Sequence, residues 1–326
     1  MHNQRVPPNK MEELKKIQPV KFAWALFFDY FIISICLITA HYSLSYGPLA
    51  WFSWPALWII VASRQHAILV LMHETAHGTA FQNKTVNEFF GETLCSIPFF
   101  ITMKKYRRDH LAHHKWCNSK DDPDWVRKIG NEEERLHWSF PIKKTGIIYW
   151  IRLWYASVIY QFGSISRINS VRNKENKFQN IAKVVFFILA ALTLIYTNLW
   201  IIFALFWVFP FVIVSPLLLR LRSVAEHFGL EYESEYSETR NVIFSSHIEN
   251  FIFAPHNISF HLVHHLYADV PFYSLNSLHR LLMDNDEYAQ KSHNNDGYFL
   301  GKNPVFRDLK NRKPMRKLWE EDYVNV

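Results

Sequence analysis

"LWIIVASRQHAILVLMHETAHGTAF", Leu57 to Phe81, joins two signals in one stretch. Its first part continues an apolar run that extends from Leu49 to Met72, and its end carries His73-Glu74-Thr75-Ala76-His77. As a pattern, H-E-x-x-H sets two imidazoles on one helix face with a glutamate as general base, the signature of zinc metalloproteases. Here the motif stands where an apolar segment ends. Whether it forms a protease helix or one arm of a larger metal site depends on the rest of the chain.

Three further apolar runs cover Phe22 to Leu44, about Ile181 to Tyr196, and about Leu199 to Leu221. About 20 apolar residues of helix cross a hydrocarbon core. The first two runs reach that length. The last two are nearly continuous and part only at Tyr196-Thr197-Asn198, which reads as a tight turn after a short third span. The connections Ser45–Pro48 and Thr197–Asn198 hold no Lys or Arg, whereas the N-terminus, the segment from Phe81 to Lys183 and the tail after Leu219 are rich in them. Basic segments stay on the cytoplasmic side. The expected fold is therefore all-α and integral to a membrane. Four transmembrane helices form two hairpins, with a cytoplasmic helical cap. The spans are residues 22–44, 49–72, 181–196 and 199–221, within a domain of residues 22–279. Residues 1–21 and 280–326 are cytoplasmic segments. The apolar, aromatic stretch from Thr145 to Phe162 contains Arg152 and reads as a helix lying in the interface.

Composition supports this. Of 326 residues, 17% are aromatic, and the net charge of +7 comes from basic residues that flank apolar runs. No basic helix or aromatic RNA-binding signature accompanies that charge, so nucleic acid is excluded as a partner. The cysteines Cys36, Cys95 and Cys117 match no zinc or redox spacing and read as reduced thiols. No cleavable secretory signal is evident at the N-terminus. Inside the second run lie Arg64, Gln65 and His66. Two readings stand: the triplet faces a bundle interior or cavity, or Arg64 snorkels to the interface.

The histidines decide the site. "HETAH" supplies His73 and His77, "HLAHH" His110, His113 and His114, "AEHFG" His227, and "HLVHH" His261, His264 and His265. Positions i, i+3 and i+4 share a helix face, so each cluster can aim its imidazoles at one point. All nine fall on the expected cytoplasmic side. Nine are too many for one metal, because a catalytic zinc keeps about three protein ligands. They suit two metals. Imidazole alone does not choose among iron, copper, nickel and zinc. His2, His41, His137, His247, His256, His279 and His293 lack box spacing and are expected to be surface or supporting residues.

With "HETAH", "HLAHHKWCNSKDDPD", "RSVAEHF" and "NISFHLVHHLYADVPFYSL" in this order, the chain resembles the membrane fatty acid desaturase and hydroxylase superfamily from about Phe22 to His279. That resemblance implies a diiron centre at the cytosolic face, held by His73, His77, His110, His113, His114, His227, His261, His264 and His265. It implies O2 as co-substrate and two hydrogens removed from an unactivated C–H position of a lipid-like acyl chain. Three positions depart from the pattern. Cys117 stands where many members have threonine, Ala268-Asp269 where many have Pro-Ser, and Ser223 where some animal members have a water-holding asparagine.

Metal-bound imidazoles usually donate their other N–H to a carboxylate or carbonyl. Glu74, Asp109, Asp121, Asp124, Glu226 and Asp269 are candidates for that role, with Ser223 and Asn257 as polar neighbours. No heme or flavin segment is apparent, so a separate ferredoxin or cytochrome would deliver electrons. Lys104, Lys105, Arg107 and Arg108 could help dock an acidic donor, or simply be a positive-inside surface. A hydroxylase on the same scaffold, acting on an acyl chain, sphingolipid or carotenoid, is the near alternative. An intramembrane zinc protease is the remote one. It would need a ligand such as aspartate in a later span, and no Asp occurs between Ile181 and Leu221. The expected location is the bacterial plasma membrane, with the endoplasmic reticulum as the alternative.

Overall fold

The computed structural model describes residues 6–117, 121–124, 146–170, 177–230 and 234–311. His2, His137 and the end of the C-terminal segment lie outside them. The described helices are α1 (Pro8–Leu14), α2 (Pro19–Ser43), α3 (Trp54–His77), α4 (Lys84–Phe90), α5 (Met103–Trp116), α6 (Ile147–Ser170), α7 (Lys177–Tyr196), α8 (Trp200–His227), α9 (His247–Phe253), α10 (His261–Leu266), α11 (Leu275–Leu282), α12 (Asp286–Lys291) and α13 (Val305–Asn311). The all-helical expectation needs one amendment. Two short strands, β1 (Arg240–Val242) and β2 (His293–Asn295), pair in parallel with Asn241 opposite Asn294.

The chain divides into two compact units, one of residues 17–109 and 157–219, the other of residues 1–16, 110–156 and 220–326. In the first, α2 buries Phe22, Leu26, Asp29, Ile33, Cys36 and Ala40. Alternating steps of three and four residues keep this stripe on one face, where α2 packs on α3. The opposite face exposes Trp24, Phe27, Phe31, Ile35, Ile38 and Tyr42. So large an apolar face suits lipid, not water.

Three helical stretches among the described residues, Pro19–Tyr46, Pro48–His77 and Trp200–His227, are long and apolar enough to cross a membrane. The expected third span forms α7, but its apolar part runs only over Lys183–Tyr196. At about 1.5 Å per residue that part falls short of a hydrocarbon core. On α6, Ile147, Ile151, Tyr155 and Ile159 are exposed at four-residue intervals while Leu153 and Ser157 are buried, as an amphipathic helix requires.

Two of the polar residues of the second run, Arg64 and Gln65, now have assignments. Arg64 does not snorkel. It is buried, and its Nη1 donates to Asp29 Oδ1 at 3.1 Å while Nη2 donates to Ser63 Oγ at 2.8 Å. Gln65 serves the backbone of α8. Pro210 removes one N–H from that helix, whose turns widen over Ala204–Val208 and Pro210–Val214. In lipid every freed carbonyl needs an internal donor. Trp58 Nε1 donates to Leu205 O at 2.9 Å, Gln65 Nε2 to Trp207 O at 2.8 Å and Gln161 Nε2 to Phe211 O at 3.1 Å.

In the second unit, Leu262 and Val263 pack into a core with Phe260, Val270, Leu275, Leu278, Leu282 and Tyr288. This fixes α10: its Leu-Val pair faces the core, and its histidines occupy the remaining face. Val263 N donates to Asn241 Oδ1 at 3.3 Å, and Asn241 Nδ2 donates to the Tyr288 hydroxyl at 2.9 Å. The Tyr288 proton is then left for His279 Nδ1, 2.9 Å away. Burial lowers His279 to about 4, so it stays neutral and can accept that proton.

Candidate metal centre

His73 and His77 occupy the last turns of α3, in the first unit, with ligating nitrogens within 4.8 Å of each other. The helix stops at Gly78, whose φ of +77° is the left-handed conformation glycine tolerates. Glu74 is buried: Oε2 accepts from Thr79 Oγ1 at 2.8 Å and Oε1 lies 3.5 Å from His73 Nδ1. It is placed to orient His73. Arg107 closes the helix end, donating from Nε to Ala76 O and from Nη2 to Thr75 O, each at 2.9 Å, while Nη1 meets Glu88 Oε1 at 2.6 Å. Arg107 thus joins the last turn of α3 to the first turns of α5, within the first unit. Of the basic stretch considered for donor docking, Arg107 is therefore committed inward, Lys105 is buried, and Arg108 Nε donates to Asp109 at 2.7 Å.

A buried arginine does the same at the cluster that carries His227. Arg240, from β1, donates from Nη1 to Ala225 O at 2.6 Å and also reaches Phe228 O, both at the end of α8 that carries His227. Cations at helix C-termini satisfy the last carbonyls and oppose the dipole. Arg107→Met and Arg240→Met are each expected to lower thermal stability. Leaving buried carbonyls without donors costs about 1–3 kcal/mol. Retained metal should fall in parallel, read by elemental analysis of the purified chain.

The other seven histidines converge within the second unit. His114 Nε2 lies 3.0 Å from both His110 Nε2 and His264 Nε2. His261 Nε2 lies 2.9 Å from His227 Nε2 and 3.1 Å from His265 Nε2, with Glu226 Oε2 at 3.7 Å. A ring nitrogen has one in-plane position, holding either a proton or a lone pair. It cannot bond two neighbours at once. His114 and His261 are therefore hubs that hydrogen bonding alone does not satisfy, whereas a cation placed among the nitrogens would satisfy all their lone pairs. Two imidazoles at right angles about an ion, with bonds of about 2.1 Å, sit about 3 Å apart. The donor set fits two metal ions. Burial, with His265 and His227 beside it, holds His261 well below the ordinary imidazole value, in the neutral form that ligates metal.

The supporting groups are only partly those expected. Glu226 lies within 4.8 Å of the His227 and His261 nitrogens and accepts from Arg222 Nε at 2.6 Å. Asp124 Oδ2 is 4.0 Å from His113 Nδ1, but the closer partner is Asp122, with Oδ1 at 2.9 Å. Sequence reasoning passed over Asp122. The Asp121-Asp122-Pro123-Asp124 run was visible, but only the turn, in which Asp124 N donates to Asp122 Oδ1 at 2.8 Å, selects the inner carboxylate. Asp121 is exposed, Asp109 pairs with Arg108, and Asp269 pairs with Lys15 at 2.6 Å. Asn257 donates to Phe272 O at 3.1 Å, and Ser223 is half-buried. With Asp122 on Nδ1, Nε2 of His113 is the nitrogen left available to a metal ion. Asp122→Ala is expected to weaken metal affinity about 10–100-fold, the usual cost of losing such a partner, measured by competition with a chelator.

Comparison with known proteins finds desaturases among the relatives of this chain. Dihydrorhizobitoxine desaturase of Bradyrhizobium elkanii is 23% identical over 97% of this chain and 91% of its own length. The sn-1 oleoyl-lipid 12-desaturase of Arthrospira platensis is 25% identical over 69% of this chain and 67% of its own. An sn-1 acyl-lipid omega-3 desaturase (ferredoxin) of Synechocystis sp. is 26% identical over 33% of this chain and 30% of its own. The family model described as fatty acid desaturase matches residues 49–295, from before the first histidine box to beyond the third, and the chain belongs to the fatty acid desaturase family.

Proposed function

We propose that this oxidoreductase introduces a double bond into a lipid acyl chain at a two-iron centre. Its ligands would be His73, His77, His110, His113, His114, His227, His261, His264 and His265. Bound iron with O2 supplies the oxidising power that side chains lack for an unactivated C–H bond. The carrying observation is the pair of histidine hubs at His114 and His261, each with two imidazole nitrogens at about the spacing of adjacent metal ligands. The protein's part is to hold neutral imidazoles in place: Asp122 fixes the tautomer of His113, and Glu74 and Glu226 flank His73 and His261.

The desaturase domain is residues 22–279 with four spans, flanked by residues 1–21 and 280–326. Both termini and the site face the cytoplasm, as the basic segments suggest, in a bacterial plasma membrane. A separate ferredoxin or cytochrome delivers electrons. One relative's name specifies ferredoxin, which supports the first.

The test is expression in a host membrane with mass spectrometry of the products. Lipids that lose two hydrogens are the expected result, and His113→Ala should abolish them. Gain of an oxygen would instead indicate hydroxylation. The relative matched over nearly its whole length is named for dihydrorhizobitoxine, not for a lipid. Soluble small molecules therefore belong in the same survey. Unchanged lipids beside an altered soluble metabolite would replace the acyl substrate.

A further inference from the structure

Resting on the two-iron reading above, we propose that Cys117 is a thiolate ligand of one metal centre, beside His113, His227 and His265. Two independent observations carry this. In sequence, His110, His113, His114 and Cys117 fall at i, i+3, i+4 and i+7, one continuous stripe along α5 and the residue after it. In space, Cys117 Sγ and ligating nitrogens of His113, His227 and His265 all lie within 4.8 Å of one another. His113 and His227 are buried, and His113 is turned toward this group by Asp122. Cys117 is half-buried at the end of the stripe, so solvent can take up a proton there.

The chemistry is an acid–base exchange. As the sulfur–metal bond forms, the Sγ–H bond breaks and its proton passes to solvent, with no change of oxidation state. A coordinating thiol is deprotonated outright. The consequence is asymmetry. Around His114 the donors are imidazoles, whereas the neighbouring centre adds one soft anionic sulfur. Thiolate shifts metal preference toward softer ions and offsets one positive charge at that centre alone.

The full chain, purified in detergent and stripped of metal, is reloaded anaerobically with cobalt(II), and metal content and absorption are read together. The expected result is two cobalt ions per chain with an intense thiolate-to-cobalt charge-transfer band in the near ultraviolet. That band should vanish in Cys117→Thr and Cys117→Ser and persist when Cys36 and Cys95, both buried in the other unit, are replaced by alanine. In the unmutated chain, alkylation of Cys117 should be fast without metal and blocked once metal is loaded. Two bound ions with no such band, a band that survives Cys117→Thr, or unhindered alkylation of the loaded chain would each overturn the sulfur ligand and leave the histidine sites standing. A folded chain that takes up no cobalt would overturn both.

Discussion

His261→Ala is expected to abolish product formation and to lower bound metal by at least one ion per chain, with the protein still inserted in the membrane. The size follows from position. His261 Nε2 is the hub between His227 and His265, with Glu226 alongside, and the ring is buried. Losing a group that merely orients a ligand costs about 10–100-fold, so removal of a hub ligand should exceed the upper end of that range. His247→Ala is the control: His247 is exposed at the start of α9, and its replacement should change neither product nor metal. Metal content read beside activity separates loss of the site from loss of substrate. Full metal with full activity in His261→Ala would refute the proposed role of His261 as a metal ligand.

The largest stability effect is expected at Asp29. Asp29→Ala leaves the Arg64 guanidinium buried between α2 and α3 without its carboxylate partner, where the pair now meets at 3.1 Å with both side chains almost wholly inaccessible. Breaking a buried pair from one side costs about 3–5 kcal/mol, while replacing both members by apolar groups is often neutral. Asp29→Ala should therefore unfold at markedly lower temperature in detergent, and Asp29→Ala with Arg64→Leu should recover most of the loss. The same recovery should appear as membrane abundance of the expressed chain. If the double variant were as unstable as the single one, the loss would not come from an uncompensated Arg64 charge, and the Asp29 pairing would not be its cause.

Much of the site was legible because its spacings are local. Helical geometry alone puts His110, His113 and His114 on one face, and the same holds for His261, His264 and His265. An apolar run ending at His73 likewise signals a helix that leaves an apolar environment at its last turn. These readings need no knowledge of what packs against what. The supporting carboxylates were less legible because their selection is a matter of reach. Asp122 and Asp124 are equivalent in sequence terms. A turn places one at 2.9 Å from His113 and the other at 4.0 Å. Asp109, beside His110 in the chain, points to Arg108 instead.

By itself the sequence determined the mostly helical class, the apolar runs and the four histidine clusters, because periodicity and composition act over a few residues. Only the tertiary structure decided the fate of the polar groups inside the apolar runs. Arg64 stayed open between a bundle interior and the interface until Asp29, 35 residues earlier, was found against it. Gln65 had no partner in the sequence reading until the carbonyl of Trp207, 142 residues away, supplied one. The same is true of Arg107 and Arg240, which look like surface charge in sequence and instead close the helices carrying His77 and His227. A buried polar group is tolerated only with a partner, and partners distant in the chain become known only once it has folded.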